Sequence, residues 1–227
     1  MTVAVVTGAG RGIGRATATA LARRGLDVAL LARTVEELEE TAAAVLAEGR
    51  RALALRCDVT QSSELTRAAH EVAKELGAAT VVVANAGIVR RGLVHEMHEG
   101  DWDEVLAVNL TGVFLTARAF LPQMLAAKRG RIIAIASISS TVGTARQSAY
   151  CAAKWGVLGF VKSLAEELRG TGLQTMSISP GSVETKMLEG SGYAPLMRPE
   201  DVANAVVYAA LDAPAAMNGT NVEMFGP

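Results

Sequence analysis

Short apolar runs alternate with longer amphipathic segments along the whole chain. Val3–Val6, Val28–Leu31, Ala52–Leu55, Thr80–Val83, Arg131–Ala136, Thr175–Ser179 and Asn221–Met224 are rich in Val, Ile and Leu, and several are apolar throughout. Runs of this length and kind predict strands buried on both faces. Between them, Val35, Leu38, Ala42, Val45 and Leu46 follow a helical stripe. Asp101 is expected to cap a helix carrying Trp102, Val105 and Leu106, with Glu104 in its first turn. Gly25, Gly49, Gly77, Gly130 and Gly170 stand where helices should stop, and Pro199-Glu200-Asp201 is a helix start. The rhythm predicts an α/β fold: a doubly wound parallel sheet of about seven strands with helices on both faces. No linker or repeat interrupts it, so residues 1–227 are read as a single domain.

Composition sharpens this picture. Half of the 227 residues are hydrophobic but only 4% are aromatic, so the core must be built from Ala, Val, Leu and Ile. A formal net charge of -1 offers no basic field for nucleic acid and no polybasic membrane anchor. No uninterrupted apolar run is long enough to span a bilayer, and the first strand starts too near Met1 to leave room for a signal peptide. Cys57 and Cys151 have neither metal nor redox spacing and are expected to be reduced thiols in a cytoplasmic protein. Cys151 adjoins Tyr150, so its alkylation would disturb that neighbour without a catalytic role for sulfur.

Ligands of such a fold bind just past the carboxyl ends of the strands. After the first strand comes Thr7-Gly8-Ala9-Gly10-Arg11-Gly12-Ile13-Gly14, leading into an Ala-rich helix. Glycines allow a tight turn and close approach of backbone to a pyrophosphate, and the helix start offers free N–H groups. This is the dinucleotide-binding layout of a Rossmann fold. An NAD enzyme normally places an acid at the end of strand two. Ala32 stands there, followed by Arg33, and Arg11 can reach the same region. Two guanidiniums and no carboxylate suit the 2′-phosphate of NADP(H).

Tyr150 and Lys154, four apart on an expected helix, share one face. A nearby ammonium and an oxidised nicotinamide would lower the phenol pKa from its usual ~10, letting Tyr150 exchange protons. Ser137, just past the fifth strand, can bond the substrate oxygen and orient it. Asn109 lies within an expected helix, where Asn is a mediocre choice.

The Thr-Gly-x-x-x-Gly-x-Gly spacing of Gly8, Gly12 and Gly14, with Asn109, Ser137, Tyr150 and Lys154, resembles the short-chain dehydrogenase/reductase family. Further matches cover nearly the whole chain. Cys57-Asp58-Val59 resembles a segment that touches adenine. Ala84-Asn85-Ala86-Gly87 resembles Asn-Asn-Ala-Gly with Ala for the first Asn. Pro180-Gly181-Ser182-Val183-Glu184-Thr185 resembles the loop gripping the nicotinamide carboxamide. The resemblance implies that Asn109 helps hold a water in a proton relay, Ser137 polarises the carbonyl and Tyr150 transfers the proton. It also implies that Lys154 bonds the nicotinamide ribose. Gly8, Arg11, Gly12, Ile13, Gly14, Arg33, Asp58, Val59, Asn85, Ala86, Gly87, Pro180, Gly181, Val183 and Thr185 are the remaining expected cofactor contacts.

The expected function is NADP(H)-dependent hydride transfer between nicotinamide and a carbonyl or alcohol, in the manner of 3-oxoacyl carrier-protein reductases and related carbonyl reductases. Three rivals stand beside it: a dinucleotide-sensing regulator without turnover, a polyol, sugar or hydroxy-acid dehydrogenase using NAD, and an epimerase or dehydratase with tightly held NAD. The complete tetrad argues against the first and the glycine spacing against the last. The helix Tyr150–Arg169 is apolar on more than one face, which predicts a homodimer or homotetramer. The short substrate loop near Lys186–Arg198 predicts an open site tolerant of different carbonyl compounds, unless a neighbouring subunit completes the cover. His95 and His98 read as a polar rim rather than metal ligands, Arg90 and Arg91 as a solvated pair or an anion attractor, and Glu36-Glu37 with Glu39-Glu40 as a wet helix face.

Overall fold

Seven strands, β1 (Val3–Thr7), β2 (Asp27–Ala32), β3 (Ala52–Arg56), β4 (Ala79–Ala84), β5 (Gly130–Ile135), β6 (Leu173–Pro180) and β7 (Asn221–Met224), form in a computed structural model that describes residues 2–227. They lie in the order β3-β2-β1-β4-β5-β6-β7, every neighbouring pair parallel. All residues of β1 and β4 are buried, which is why both read as unbroken apolar runs. Alternate residues still serve opposite faces. Ala4 and Val6 join the core beneath α1 (Gly12–Arg23), α2 (Val35–Ala47) and α7 (Pro199–Val207), with Leu21, Leu38 and Val206. Val3 and Val5 join the core beneath α3 (Ser62–Glu75), α5 (Gly112–Ala127) and α6 (Ser148–Glu167), with Leu65, Phe120 and Leu164.

Three local expectations need correction. Helix α4 runs Glu99–Leu106 from His98, so Asp101 lies in its first turn rather than at the cap, and Glu104 falls in the second turn. Glu99 supplies the early acid, and Arg90 draws Asp101 and Glu104 sideways at 3.5 and 2.7 Å. Gly130 opens β5 instead of stopping a helix, and Lys128, left-handed at φ 52, ends α5. Within the helical stretch 99–127, an 18-residue window does have the mean hydropathy, 1.5, of a membrane span. Half of that window is buried inside the protein, so its apolarity serves the sheet.

At the edge away from the ligand loops, Asp27 is fully buried at the start of β2. Its carboxylate accepts from Arg50 Nη2 at 2.7 Å and from Arg51 N and Nε at 3.0 Å each. Burial raises its pKa, but the Arg51 hydrogen bonds and both guanidinium charges outweigh that and hold it below the usual carboxylate range. A depressed folded pKa means stability that is complete above the unfolded pKa of ~3.9 and is lost as pH falls through the folded value. Asp27→Asn should therefore lower stability at pH 7 by about 2 kcal/mol. The deficit should shrink as pH falls from ~4 toward the depressed folded value, through which the wild-type carboxylate too becomes protonated. Urea titrations at both pH values check this, and an unchanged midpoint at pH 7 contradicts it.

Candidate active site

The sheet order reverses between β1 and β4, and a cleft of about 1030 Å³ opens there along the carboxyl ends of the strands. Its wall includes Gly8, Gly12, Ile13 and Gly14 after β1, Arg33 after β2, Asp58 and Val59 after β3, and Asn85, Ala86 and Gly87 after β4. Ser137 after β5, Tyr150 and Lys154 on α6, and Pro180, Gly181, Val183 and Thr185 after β6 complete it. Asn109 alone among the expected residues stands behind the wall, fully buried.

The glycine loop is braced from outside so that its inner side stays bare. Thr41 Oγ1 donates to the Ala9 carbonyl at 3.0 Å, and Arg15 Nε to that of Gly10 at 2.9 Å. Gly8 turns at φ +62, and a Cβ on Gly14 would stand 2.1 Å from the Gly8 oxygen. Helix α1 has no side-chain cap and no acid in its first turn, so its positive end is unneutralised by its own sequence. Bare backbone and a free helix start together fit a pyrophosphate.

Several expected contacts have structural duties. Asn85 Nδ2 donates to the carbonyls of Thr7 and Gly8 at 2.9 and 3.2 Å, while Thr7 Oγ1 accepts from Asn85 N and Ala86 N. Asn85 thus ties β4 to the glycine loop. Asp58 Oδ1 accepts from Thr60 N at 2.9 Å, which shapes the turn after β3. At the ribose end the expectation of two guanidiniums without a carboxylate is wrong. Arg11 Nη1 pairs with Glu37 Oε1 at 3.0 Å, and Glu37 lines the cleft rather than a solvated face. One turn of α2 past Thr34 brings Glu37 back over Gly10, where a Cβ would meet the Glu37 Cβ at 2.8 Å.

At the other end, Ser137 leaves β5 in extended backbone and its Oγ accepts from Ser139 N at 3.1 Å. Lys154 Nζ lies 5.6 Å from the Tyr150 ring centroid and donates to the Ile135 carbonyl at 2.7 Å. Burial lowers the Lys154 pKa to about 8. Burial also raises the Tyr150 phenol above its usual range, with the Ser137 hydroxyl and the Arg91 charge pulling against it. The expected lowering by Lys154 therefore does not carry the balance in the cofactor-free chain. Desolvation penalises the phenolate, and the ammonium is itself desolvated and turned to Ile135. Asn109 sits in a π-helical turn, Ala107–Thr111, between α4 and α5. Its Nδ2 donates to the carbonyls of Ile88 and Val105 at 2.9 Å each, and its Oδ1 accepts from Ile88 N at 3.1 Å. Its side chain thus pins the segment after Gly87 and does not reach the cleft. The wider turn lets a mid-helix Asn satisfy both partners.

Other polar groups behind the site escape sequence patterns because their partners lie far apart in the chain. Ser140 Oγ bonds the Ser137 carbonyl and lies 3.1 Å from Ser179 Oγ, which donates to Asn221 Oδ1 at 2.7 Å. The chain of hydroxyls runs from the backbone of Ser137 to β7. His95 and His98 are exposed, and among the described residues no group of three His, Cys, Asp or Glu side chains assembles as a metal site.

A short chain dehydrogenase family model matches residues 2–194. A 3-oxoacyl-[acyl-carrier-protein] reductase of Synechocystis is 38% identical, over 94% of this chain and 91% of its own length. A D-threitol dehydrogenase of Mycolicibacterium smegmatis is 35% identical over 99% and 91%. Among solved structures, a short-chain type dehydrogenase/reductase from Mycobacterium marinum superposes with a TM-score of 0.95 at 32% identity, covering 99% of this chain and 94% of that one. Levodione reductase superposes with a TM-score of 0.94 at 28% identity, covering 99% and 96%.

Proposed function

The chain belongs to the short-chain dehydrogenase/reductase family and is an oxidoreductase of carbonyl and alcohol substrates, and from this premise we propose that it works with NADP(H) and uses Tyr150 as its proton donor and acceptor. The observation that carries the reading is the convergence of Ser137, Tyr150 and Lys154 at one end of a cleft whose other end is a bare glycine loop. The bound nicotinamide supplies or accepts the hydride. Gly8, Gly12, Ile13 and Gly14 receive the pyrophosphate, and Asp58, Val59, Asn85, Ala86 and Gly87 flank the adenosine side. Pro180, Gly181, Val183 and Thr185 hold the nicotinamide end. Ser137 orients the substrate oxygen toward the Tyr150 hydroxyl, and Lys154 bonds the ribose. NADPH consumption across a panel of ketones and aldehydes tests the reading. A protein that binds NADPH and turns over none of them would instead be a dinucleotide sensor.

Lys154 gives this reading a pH signature. Burial brings its pKa down to about 8. NADPH affinity should fall as pH rises above that value, and Lys154→Met should bind more weakly with a flat profile. Titration by cofactor fluorescence measures both.

Cofactor choice turns on the residues at the ribose end. Arg33 forms no ion pair among the described residues, whereas Arg11 is shared with Glu37. The Glu37 carboxylate is the observation that favours a second reading, an NAD-linked alcohol or polyol dehydrogenase. We give the balance to NADP(H), because Ala32 leaves the strand-two position without an acid. Glu37→Gln should free Arg11 and raise the NADPH over NADH preference in kcat/KM by about tenfold, the worth of one charged hydrogen bond. Ala32→Asp with Arg33→Ala should reverse it. Wild-type efficiency with NADH equal to that with NADPH would remove the NADP(H) assignment.

The loop at 186–198 is irregular, pinned at its base where Val183 bridges Met197, and Met187, Tyr193 and Leu196 stay exposed. This supports a loosely covered substrate site with discrimination among neutral ketones well below the ~10⁴-fold of enclosed polar recognition. Phe114 and Trp155, 41% and 54% exposed on α5 and α6, support a homodimer or homotetramer, and the free thiols of Cys57 and Cys151 a cytoplasmic setting.

A further inference from the structure

Two arginines follow β4, and only one of them is spoken for. Arg90 is held by Glu104 at 2.7 Å and Asp101 at 3.5 Å. Arg91 lines the substrate end of the cleft with Ser137, Tyr150 and Met187. Its Nη2 donates to the Met187 carbonyl at 2.9 Å, and its buried Nε has no acceptor among the described residues. Glu184 and Glu189 line the same cleft, yet neither pairs with it among the described residues. A buried N–H on a full positive charge is costly to leave unmade, so the site is complete only when an acceptor arrives. The guanidinium fork matches a carboxylate or phosphate, which neutralises the charge and satisfies the N–H together.

We propose that Arg91 receives an anionic group on the substrate, a carboxylate or phosphate carried a few bonds from the reacting carbonyl. Turnover then favours charged oxo compounds over their neutral counterparts. The inference rests on reading the cleft as an oxidoreductase site and adds the substrate class. Arg91, Ser137 and Tyr150 line one stretch of the cleft, so a small substrate whose oxygen faces Tyr150 would carry its anionic group toward the guanidinium. The bond to Met187 also anchors the loop at 186–198, so an otherwise open site selects by charge rather than size.

The test compares levulinate with methyl levulinate, and dihydroxyacetone phosphate with dihydroxyacetone, at saturating NADPH. The readout is the charged-to-neutral ratio of kcat/KM. In the wild type at least one pair should favour the charged member by about tenfold or more, and which pair does so distinguishes carboxylate from phosphate. Arg91→Gln should cut that ratio by about tenfold, and Arg91→Lys should keep most of it. A second measurement needs no turnover: succinate and inorganic phosphate titrated into the NADP⁺-saturated protein should stabilise the wild type and not Arg91→Gln, with cofactor affinity measured alongside. Neutral ketones reduced as well as charged ones, or a ratio unchanged in Arg91→Gln, would overturn the proposal. If no compound is reduced, the oxidoreductase reading falls and the titration alone decides the role of Arg91.

Discussion

Tyr150→Phe should reduce turnover by about 10²–10⁴-fold while changing NADPH affinity less than about threefold. The substitution deletes one oxygen and keeps the ring that packs beside Lys154 and lines the cleft. It removes the hydroxyl proposed to supply the proton in carbonyl reduction. The proposed dinucleotide cradle lies elsewhere, on the glycine loop and Lys154, so cofactor binding serves as the internal control. Burial holds the phenol above its usual range, so alcohol oxidation, which needs the phenolate, should rise with pH in the wild type. That rise should vanish in the mutant. Stopped-flow measurement with one ketone and its alcohol separates the two directions. A mutant retaining more than about a tenth of wild-type turnover would remove Tyr150 from the mechanism.

Gly14→Ala should disable the cradle itself. The new Cβ would stand 2.1 Å from the Gly8 carbonyl oxygen and 2.7 Å from Asn85 Nδ2, both parts of the brace between β1 and β4. Neither can yield without moving the loop. Displacing the loop and the start of α1 should weaken NADPH binding by about tenfold or more, the worth of one charged hydrogen bond to the pyrophosphate. The overlap should also lower stability by about 3 kcal/mol. Gly25→Ala provides the contrast, since Gly25 has φ +87 but no atom within 4 Å of an added Cβ. That change should cost only the backbone strain, about 1–2 kcal/mol, and leave cofactor affinity intact. Equal behaviour of the two mutants in an NADPH titration would show that the close approach at Gly14 is unimportant.

The strands were legible because burial on both faces writes itself as short runs of Val, Ile and Leu. The loops that end them are legible where turn-forming, polar or hydroxyl residues break an apolar run, as at Gly8, Asp58, Asn85, Ser137 and Pro180. What stayed hidden depends on pairing across the chain. Nothing in the Glu36-Glu37-Leu38 stretch says that Glu37 will lean over Gly10 to Arg11, because a helix face looks wet until its neighbour is known. Asn109 was found as an odd residue in a helix, but its engagement with Ile88 depends on a π-helical turn that no periodicity announces. Arg90 and Arg91 are indistinguishable as neighbours in sequence. Both line the cleft, and only the position of α4 gives Arg90 its carboxylates while Arg91 has none among the described residues. Asp101 is as good a cap as the sequence offers, yet backbone bonds from Asp101 and Trp102 to His98 begin α4 earlier.

The hydroxyl chain from the Ser137 carbonyl through Ser140 and Ser179 ends on Asn221, in β7 at the edge of the sheet. Edge strands open at lower free energy than the middle of a sheet. Fraying of β7 would therefore slacken the backbone that carries Ser137 while the glycine loop, rooted on β1 in the interior of the sheet, keeps its shape. The two ends of the cleft are thus expected to lose their order at different temperatures.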